Sequence, residues 1–184
     1  MAFRMILATT SRRPTRMVRT LCRDLAYVIP SLKRVNRGKM SLHDVGEKAV
    51  DVGADKVLII DRWKGGPGRM RFFEVKEGLS QVPPQLYIRG VKLRRDFKIR
   101  KPSSHRLFIG DLEKALEVRR LGEMFSRFFE LPIIELTEMD SHDNFMIMRL
   151  SPDLNHTIRV SFYLMPKNLE VGPRIRISHA VWEI

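Results

Sequence analysis

Near the N-terminus, four arginines recur at a spacing that brings them together on one side of a helix. They are separated by four, three and four residues, and they are Arg12, Arg16, Arg19 and Arg23. On a helix, such positions fall within about 60° of one another. The planar guanidinium binds a phosphate group through two parallel hydrogen bonds. The row therefore predicts a contact surface for a polyanion; a helix face on which the arginines only aid solubility is the alternative.

The junction that precedes this helix adds to the predicted surface. Ser11, Arg12 and Arg13 stand where a predicted strand ends and the predicted helix begins. Free backbone N–H groups and the positive end of the helix dipole favour an anion at such a position. Every α/β protein has such a terminus, so it is the flanking arginines that indicate an anion-binding site here.

Two further basic segments extend the candidate surface. The first contains Lys33, Arg34, Arg37 and Lys39. This segment lies beside the first helix if the strand after that helix is a neighbour of the first strand. The second spans 89–101, where we expect the charges to alternate across a strand and to matter less than the helix. A basic loop and a charged strand edge that discourages pairing are the respective alternatives.

The net charge indicates the same kind of partner. The 184 residues contain 34 Lys and Arg against 21 Asp and Glu, a formal charge of +13. A soluble surface needs a net charge of only about 2–8. The excess lies in residues 1–40, with ten basic and one acidic side chain, and in residues 78–107, with eight and one. Two such basic islands favour nucleic acid as the partner, with an anionic membrane second.

Several function classes lack their motifs in this chain. There is no Walker A or G-x-G-x-x-G loop, and the five histidines have no metal-ligand spacing. Residues 65–68 match the G-x-x-G of a KH clamp formally, but they lie between two predicted strands and we interpret them as a hairpin loop. The single cysteine, Cys22, excludes an internal disulfide and falls on the apolar face of its helix. We expect no catalytic residue, no metal and no cofactor.

No apolar run approaches the ~20 residues that span a bilayer. The N-terminal apolar stretch is too short for a signal peptide and contains Arg4. We therefore expect a cytoplasmic protein without a membrane partner.

The elements that must position the basic residues follow an α/β order. An apolar strand over 3–9 precedes a helix that ends at Val28, with cap candidates in Thr9, Thr10 and Ser11 and with Pro14 in the first turn. A second helix begins at Ser41, and a continuous apolar run over 57–61 predicts a buried strand. This order of elements is typical of an α/β unit with partly parallel pairing.

The same order recurs in the second part of the chain. A boundary between Lys101 and Ser104 is followed by a strand, by a helix that Asp111 caps and by further strands. Apolar residues change face within that helix, which predicts a kink near Gly122. The chain is therefore predicted to be a single domain with two α/β halves, about 1–100 and 105–184.

Several short motifs resemble those of the Brix-domain proteins of ribosome biogenesis. In the first half they are T-S-R-R-P-T over 10–15, R-D-L over 23–25, N-R-G over 36–38 and the apolar strand over 57–60. Near the C-terminus, E-V-G-P-R over 170–174 looks like the family's E-x-G-P-R-F, with Ile175 in place of the phenylalanine. The family's G-L-I-x-x-H-L-P-x-G-P-T stretch is poorly matched over 68–75.

This resemblance implies an archaeal, stand-alone form whose two halves each look like the anticodon-binding domain of class IIa aminoacyl-tRNA synthetases. It also implies a non-catalytic factor that binds ribosomal or precursor ribosomal RNA during rRNA processing and subunit assembly, beside ribosomal proteins or other assembly factors. The predicted RNA-binding residues are Ser11, Arg12, Arg13, Arg16, Arg19, Arg23, Lys33, Arg34, Arg37, Lys39, Arg94, Arg95 and Lys98. The alternatives are a tRNA-binding accessory module and an enzyme that acts on nucleic acid or on a phosphorylated substrate at Ser11 to Arg13.

Overall fold

Each part of the chain begins with a strand, a helix and a second strand, and continues with antiparallel strands. The computed structural model describes residues 4–97, 106–110, 112, 114–135 and 144–184. The first part contains β1 (Met5–Thr10), α1 (Arg16–Val28), β2 (Leu32–Arg34), α2 (Leu42–Asp51), β3 (Ala54–Trp63), β4 (Gly66–Val75) and β5 (Leu79–Lys92). The second contains β6 (Leu107–Gly110), α3 (Leu116–Phe129), β7 (Ile133–Ile134), β8 (Phe145–Asp153), β9 (Thr157–Met165), β10 (Leu169–Glu170) and β11 (Arg174–Val181). The predicted α/β class is confirmed.

All of these strands belong to one sheet. Its order is β2-β1-β3-β4-β5-β11-β9-β8-β6-β7, and β10 pairs with β9. β1 is parallel to β2 and β3, and β6 is likewise parallel to β7 and β8. The remaining pairs are antiparallel, including the pair of β5 and β11 that joins the two parts. The two parts therefore have the same strand order and directions within a continuous sheet.

The predicted boundary between Lys101 and Ser104 lies outside the described residues. The likeness of each half to an anticodon-binding domain stays a prediction.

The helices lie on both faces of the sheet. Ile6 and Ala8 of β1 share a hydrophobic core with α1 and α3, whereas Leu7 between them packs in a second core with α2. This alternation along a buried strand explains the continuous apolar run of β1. On the face of α1 and α3, the Phe72 ring of β4 meets the Phe128 ring of α3 edge to face, with centroids 4.9 Å apart.

The start of α1 differs from the prediction. Thr9 and Thr10 belong to β1, and the Ser11 N–H donates to the Ile60 carbonyl of β3 at 3.0 Å. The N-cap is Thr15, whose side chain accepts from the Val18 N–H. β-Branched threonines fit a strand as well as a cap, and pairing with β3 decides between the two. Arg12 and Arg13 consequently lie in the β1–α1 loop, and the helical row is shortened to Arg16, Arg19 and Arg23.

The other two helices are positioned by local chemistry. Ser41 caps α2 as predicted, and Asp44 completes a reciprocal capping box. The predicted kink in the third helix is wrong, because α3 is continuous and begins only at Leu116. Leu112 precedes the helix and packs over Gly122, where a Cβ atom would lie 2.2 Å from a Leu112 methyl carbon. The predicted cap, Asp111, is outside the described residues, and Ala115 occupies the cap position.

The β3–β4 connection is a tight hairpin, as predicted for 65–68. Trp63 pairs with Gly66, so the turn contains only Lys64 and Gly65. Both have positive φ, 45° and 84°. A two-residue turn of this kind matches the right-handed twist of its strands. The KH-clamp alternative is therefore excluded, since no helix flanks this turn.

Candidate nucleic-acid interface

A basic cleft lies where β1 and β2 end. Because the two strands are parallel, their carboxyl ends share one edge of the sheet, and the loops that follow them face each other. The cleft has a volume of about 330 Å³, and its walls include Arg12, Pro14, Arg19, Arg34, Asn36 and Arg37. Ligands of open α/β sheets bind outside the carboxyl ends of the strands. Four arginines that are separated in the sequence therefore converge at one site.

Arg37 holds the cleft together from inside. This residue is only 7% exposed. Its Nε donates to the Met40 carbonyl at 2.7 Å, and its Nη1 donates to the Thr10 carbonyl at 3.4 Å. Burial and the neighbouring charge of Arg12 lower the pKa of Arg37 below its usual value. The sequence predicts Arg37 as an RNA-binding residue in a loop. In the structure its guanidinium connects the β2–α2 loop to the end of β1 through these two hydrogen bonds.

The outer face of α1 continues from the cleft. Arg16, Arg19 and Arg23 are exposed, and the buried side chains of the helix lie on the opposite face. The Arg19 Nη1 donates to the Pro14 carbonyl at 3.1 Å, which holds this side chain over the helix start. The Arg23 Nε lies 3.9 Å from Asp24, and the Arg23 side chain is still 65% exposed. The predicted arginine face of α1 is thus present, without Arg12.

The second basic segment is joined to α1. Arg94 and Arg95 lie in a 3₁₀ turn, Arg94–Phe97, and not on a strand as predicted. The Arg94 N–H donates to Asp24 at 3.0 Å, and the Arg94 guanidinium carbon lies 3.6 Å from the centroid of the Tyr27 ring. The expected alternation of these charges across a strand is therefore wrong for Arg94 and Arg95. Lys98 lies outside the described residues.

The other predicted residues lie around the same edge. Lys33, Lys39 and Arg13 are exposed. The Ser11 hydroxyl accepts the Arg62 N–H at 3.1 Å, so it takes part in the contact with β3.

Sequence reasoning missed Arg62 and its neighbours. The Arg62 Nη1 donates to the Arg13 carbonyl at 3.3 Å, which places the β3–β4 hairpin beside the start of α1. Trp63 and Lys64 at the hairpin tip are exposed. The sequence does contain a pattern typical of nucleic-acid contacts here, a tryptophan between two basic residues before a Gly-rich turn. That this hairpin lies beside α1 depends on the parallel pairing of β1 and β3.

The described residues offer little for metal or thiol chemistry near the cleft. The ligand atoms of His43, Asp44 and Glu47 lie within 4.8 Å of one another, but all three residues are exposed on α2. The Asp44 carboxylate accepts the Ser41 N–H, which lowers the pKa of Asp44. Cys22 is buried in the core, and burial raises the pKa of its thiol to about 12. The reactive thiolate is therefore suppressed.

Within the described ranges, no helix has the length and apolar character to cross a membrane.

The curated proteins similar to this chain have the same description. A probable Brix domain-containing ribosomal biogenesis protein of Thermococcus kodakarensis is 40% identical over 96 residues, 52% of this chain and 46% of that protein. The protein of the same name from Pyrobaculum aerophilum is 31% identical over 132 residues, which are 70% of each chain. The chain matches about half the length of the Thermococcus relative and 41% of that of a Pyrococcus horikoshii relative. No protein-family model matches the chain.

Solved structures have the same fold. The crystal structure of a probable ribosomal biogenesis protein from Aeropyrum pernix K1 has a TM-score of 0.79 at 25% identity and covers 95% of both chains. Mil, an archaeal Imp4-like protein, has a TM-score of 0.71 over 97% of this chain and 99% of its own; at 20% identity this likeness concerns the fold alone. The archaeal origin implied by the sequence fits these relatives. The chain belongs to the Brix domain-containing ribosomal biogenesis proteins.

Proposed function

We propose that this protein acts in ribosome biogenesis by binding ribosomal or precursor ribosomal RNA, without catalysing a reaction. The observation that carries the proposal is the convergence of Arg12, Arg19, Arg34 and Arg37 in one cleft at the carboxyl ends of β1 and β2. The names of the relatives supply the biological setting, ribosomal biogenesis. The cleft and the arginine face of α1, together with Arg94 and Arg95, are called the basic surface below.

The basic surface suits a polyanion of fixed shape. Arg16 and Arg23 are seven residues apart on the helix, about 10 Å at 1.5 Å per residue, and Arg19 lies between them. This length brings them to more than one phosphate of an RNA backbone. Because the helix is rigid and packed on the core, little backbone entropy is lost when the arginines meet phosphates. Contacts of this kind supply affinity and register, and double-helical RNA is recognised largely by its shape.

The experiment that tests the proposal is a salt titration of RNA binding. A fragment of ribosomal RNA is labelled, and the dissociation constant is measured by fluorescence anisotropy from about 50 to 400 mM salt. If about six phosphates are neutralised, the logarithm of the association constant falls against the logarithm of salt concentration with a slope of about −4 to −5. A chelator leaves affinity unchanged, because the surface consists of guanidinium groups. A slope near zero, or loss of binding on chelation, contradicts the proposal.

Two competing functions are separated in the same assay. Competition with transfer RNA tests the tRNA-binding alternative. If the protein prefers ribosomal RNA, the labelled fragment stays bound when unlabelled transfer RNA is added at the same concentration as the fragment. Incubation of the complex with Mg²⁺ tests the alternative of an enzyme. Intact RNA after prolonged incubation agrees with the non-catalytic proposal, and specific cleavage contradicts it.

A further inference from the structure

A second cleft, with aromatic walls, lies beside the basic surface. Its volume is about 440 Å³, within the range of about 300–1,000 Å³ typical of ligand pockets. The walls include Arg62, Trp63, Gly68, Arg69, Tyr87 and His179. This combination of flat rings and guanidinium groups, called the aromatic cleft below, fits a flat ligand that carries negative charge.

Strand register builds the floor of the aromatic cleft. Asp61 of β3 pairs with Arg69 of β4, Arg69 pairs with Tyr87 of β5, and Tyr87 pairs with His179 of β11. Side chains of directly opposed residues lie on the same face of a sheet. The neighbouring Leu86 lies in the core beneath α1 and α3, so this row lies on the opposite face. The aromatic cleft is therefore a feature of the rigid central sheet.

The rings are placed for stacking. Tyr87 and His179 are stacked on each other, with centroids 4.4 Å apart and planes at 10°. Trp63 is 69% exposed at the hairpin, and no ring or guanidinium stacks on it among the described residues. The other tryptophan, Trp182, is covered by Arg120, whose guanidinium carbon lies 3.8 Å from the ring centroid. A large indole held open at the wall of a cleft offers a free stacking face.

The backbone at Gly68 accommodates Trp63. A Cβ atom at Gly68 would lie 2.1 Å from the Trp63 Cβ and 3.2 Å from its Cα. Because the second of these atoms is backbone, only glycine allows the two strands to approach so closely here. The position of Trp63 is thus set by the hairpin.

The charge of the aromatic cleft is positive and continuous with the basic surface. Asp61 accepts from Arg69 at 2.8 Å and from Arg71 at 2.7 and 3.0 Å, so its charge is neutralised. Arg62 remains, and its guanidinium reaches the Arg13 carbonyl in the β1–α1 loop. Since α1 lies on the other face of the sheet, an RNA strand whose phosphates meet Arg13 and Arg16 reaches the aromatic cleft by passing over the β3–β4 hairpin beside Arg62.

We propose that the aromatic cleft binds an unpaired base of the RNA, stacked on the indole of Trp63 beside the Tyr87–His179 pair. The inference rests on the proposed function, because the RNA is brought to the cleft by the basic surface. Stacking tolerates any base, since each base has a π face. The protein therefore selects RNA in which a nucleotide is unpaired next to a backbone that α1 contacts, a bulge or a single-stranded flank.

The experiment compares three RNAs and two variants of Trp63. One RNA is a blunt duplex, and the other is the same duplex with a single-stranded flank; a third version carries abasic nucleotides in that flank, which keep the phosphates and lose the bases. The variants are Trp63→Ala and Trp63→Phe. Leu154→Ala serves as control, because Leu154 is also an exposed apolar residue, at 76%, and does not line the aromatic cleft.

Trp63→Ala is expected to lower affinity for the flanked RNA about tenfold, since one stacked base contributes on the order of this factor or more. Trp63→Ala leaves the affinity for the blunt duplex and for the abasic version unchanged. Trp63→Phe retains most of the wild-type affinity for the flanked RNA, and Leu154→Ala has no effect on any of the three RNAs. In Trp182→Phe, Trp63 is the only tryptophan, and its fluorescence is quenched by the flanked RNA but not by the abasic version.

The outcomes separate this inference from the proposed function. Equal affinity of Trp63→Ala and wild type for the flanked RNA overturns the inference and leaves the proposed function standing. Equal losses on all three RNAs also overturn it, because the contact is then not with a base. If the wild-type protein binds none of the RNAs, both proposals are overturned.

Discussion

The guanidinium carbon of Arg94 lies 3.6 Å from the centroid of the Tyr27 ring, so a turn that follows β5 is fixed to the exposed face of α1. The contact is supported by the hydrogen bond from the Arg94 N–H to Asp24. Asp24 is 4% exposed although it lies on a helix rich in exposed arginine. Two basic segments that are far apart in the chain therefore form one surface, and a buried carboxylate connects them.

This arrangement predicts that Asp24→Ala weakens the fold. The substitution leaves the partly buried Arg94 N–H without its acceptor, and an unsatisfied donor away from water costs about 1–3 kcal/mol. We expect the free energy of unfolding in urea to fall by about that amount. Asp51→Ala, which removes an exposed carboxylate from the end of α2, is the control and changes stability little. Equal stability of Asp24→Ala and wild type would show that the turn does not depend on Asp24.

A second prediction concerns Gly172, in the segment that resembles the family's E-x-G-P-R motif. Its φ is +64°, and a Cβ atom there would lie 2.4 Å from a ring carbon of Phe97. Phe97 belongs to the same 3₁₀ turn as Arg94. Gly172→Ala is therefore expected to destabilise the protein by about 2–3 kcal/mol, from backbone strain and overpacking.

Gly90→Ala is the matched control for Gly172→Ala. A Cβ atom at Gly90 meets nothing within 4 Å, and Gly90 is not among the residues with positive φ. Thermal unfolding of both variants measures the difference. A melting temperature of Gly172→Ala equal to that of Gly90→Ala would mean that Phe97 moves aside without cost.

The third prediction is a pH dependence that originates in Asp153. Its carboxylate accepts from Arg159 at 2.9 Å, from Arg176 at 2.7 Å and from the Leu154 N–H at 2.9 Å. The hydrogen bond from Arg159, followed by that from the Leu154 N–H, holds the pKa of Asp153 well below its usual value. A carboxyl whose pKa is depressed by folding contributes stability above its unfolded pKa of about 3.9, and this stability is lost as pH falls below that value.

Asp153→Asn isolates this contribution. The variant is expected to be less stable than wild type by about 1–3 kcal/mol at pH 7 and pH 5, since two arginines lose their charged acceptor. The difference shrinks as pH is lowered from about 4 to 2, because Asp153 then takes up a proton in the unfolded chain while the folded protein keeps it ionised. Urea unfolding of both proteins across this range measures it. A difference that stays constant down to pH 2 would rule out a titrating Asp153.

Local pattern was sufficient for much of the fold. The uninterrupted apolar run within β3 predicts a strand because Leu58 and Ile60 pack in one core while Val57 and Ile59 pack in the other. Ser41 predicts the start of α2 because its cap is made by its own neighbour, Asp44. The two-residue strands β7 and β10 have no pattern of their own, since their partners in the sheet define them.

The errors have a common physical cause, which is contact between distant segments. Thr9 and Thr10 pair with β3 and so do not cap α1, and Leu112 covers Gly122 from outside α3 without extending the helix. For the site, spacing alone predicts that Arg16, Arg19 and Arg23 share a face. It does not predict that Arg37 is buried, because the parallel pairing of β1 and β2 decides this. It also does not predict that Arg62 and Trp63 lie beside α1, because the parallel pairing of β1 and β3 decides that.

RNA is expected to bind to the arginine face of α1 and not to the positive charge of the protein as a whole. The test compares Arg16→Glu/Arg19→Glu/Arg23→Glu with Lys76→Glu/Lys114→Glu/Lys167→Glu. All six side chains are exposed, and the second set lies outside the basic surface. Both triple variants lower the formal charge equally, and the melting temperature of each is measured to show that the fold is retained.

The measurement is the dissociation constant for a ribosomal RNA fragment as a function of salt. The helix variant is expected to lose on the order of a hundredfold in affinity at about 0.1 M salt, and its salt slope becomes shallower by about three, one for each phosphate contact removed. The control variant loses several-fold and keeps the wild-type slope. Equal losses and equal slopes in the two variants would show that binding does not depend on the arginine face, because affinity would then follow net charge alone.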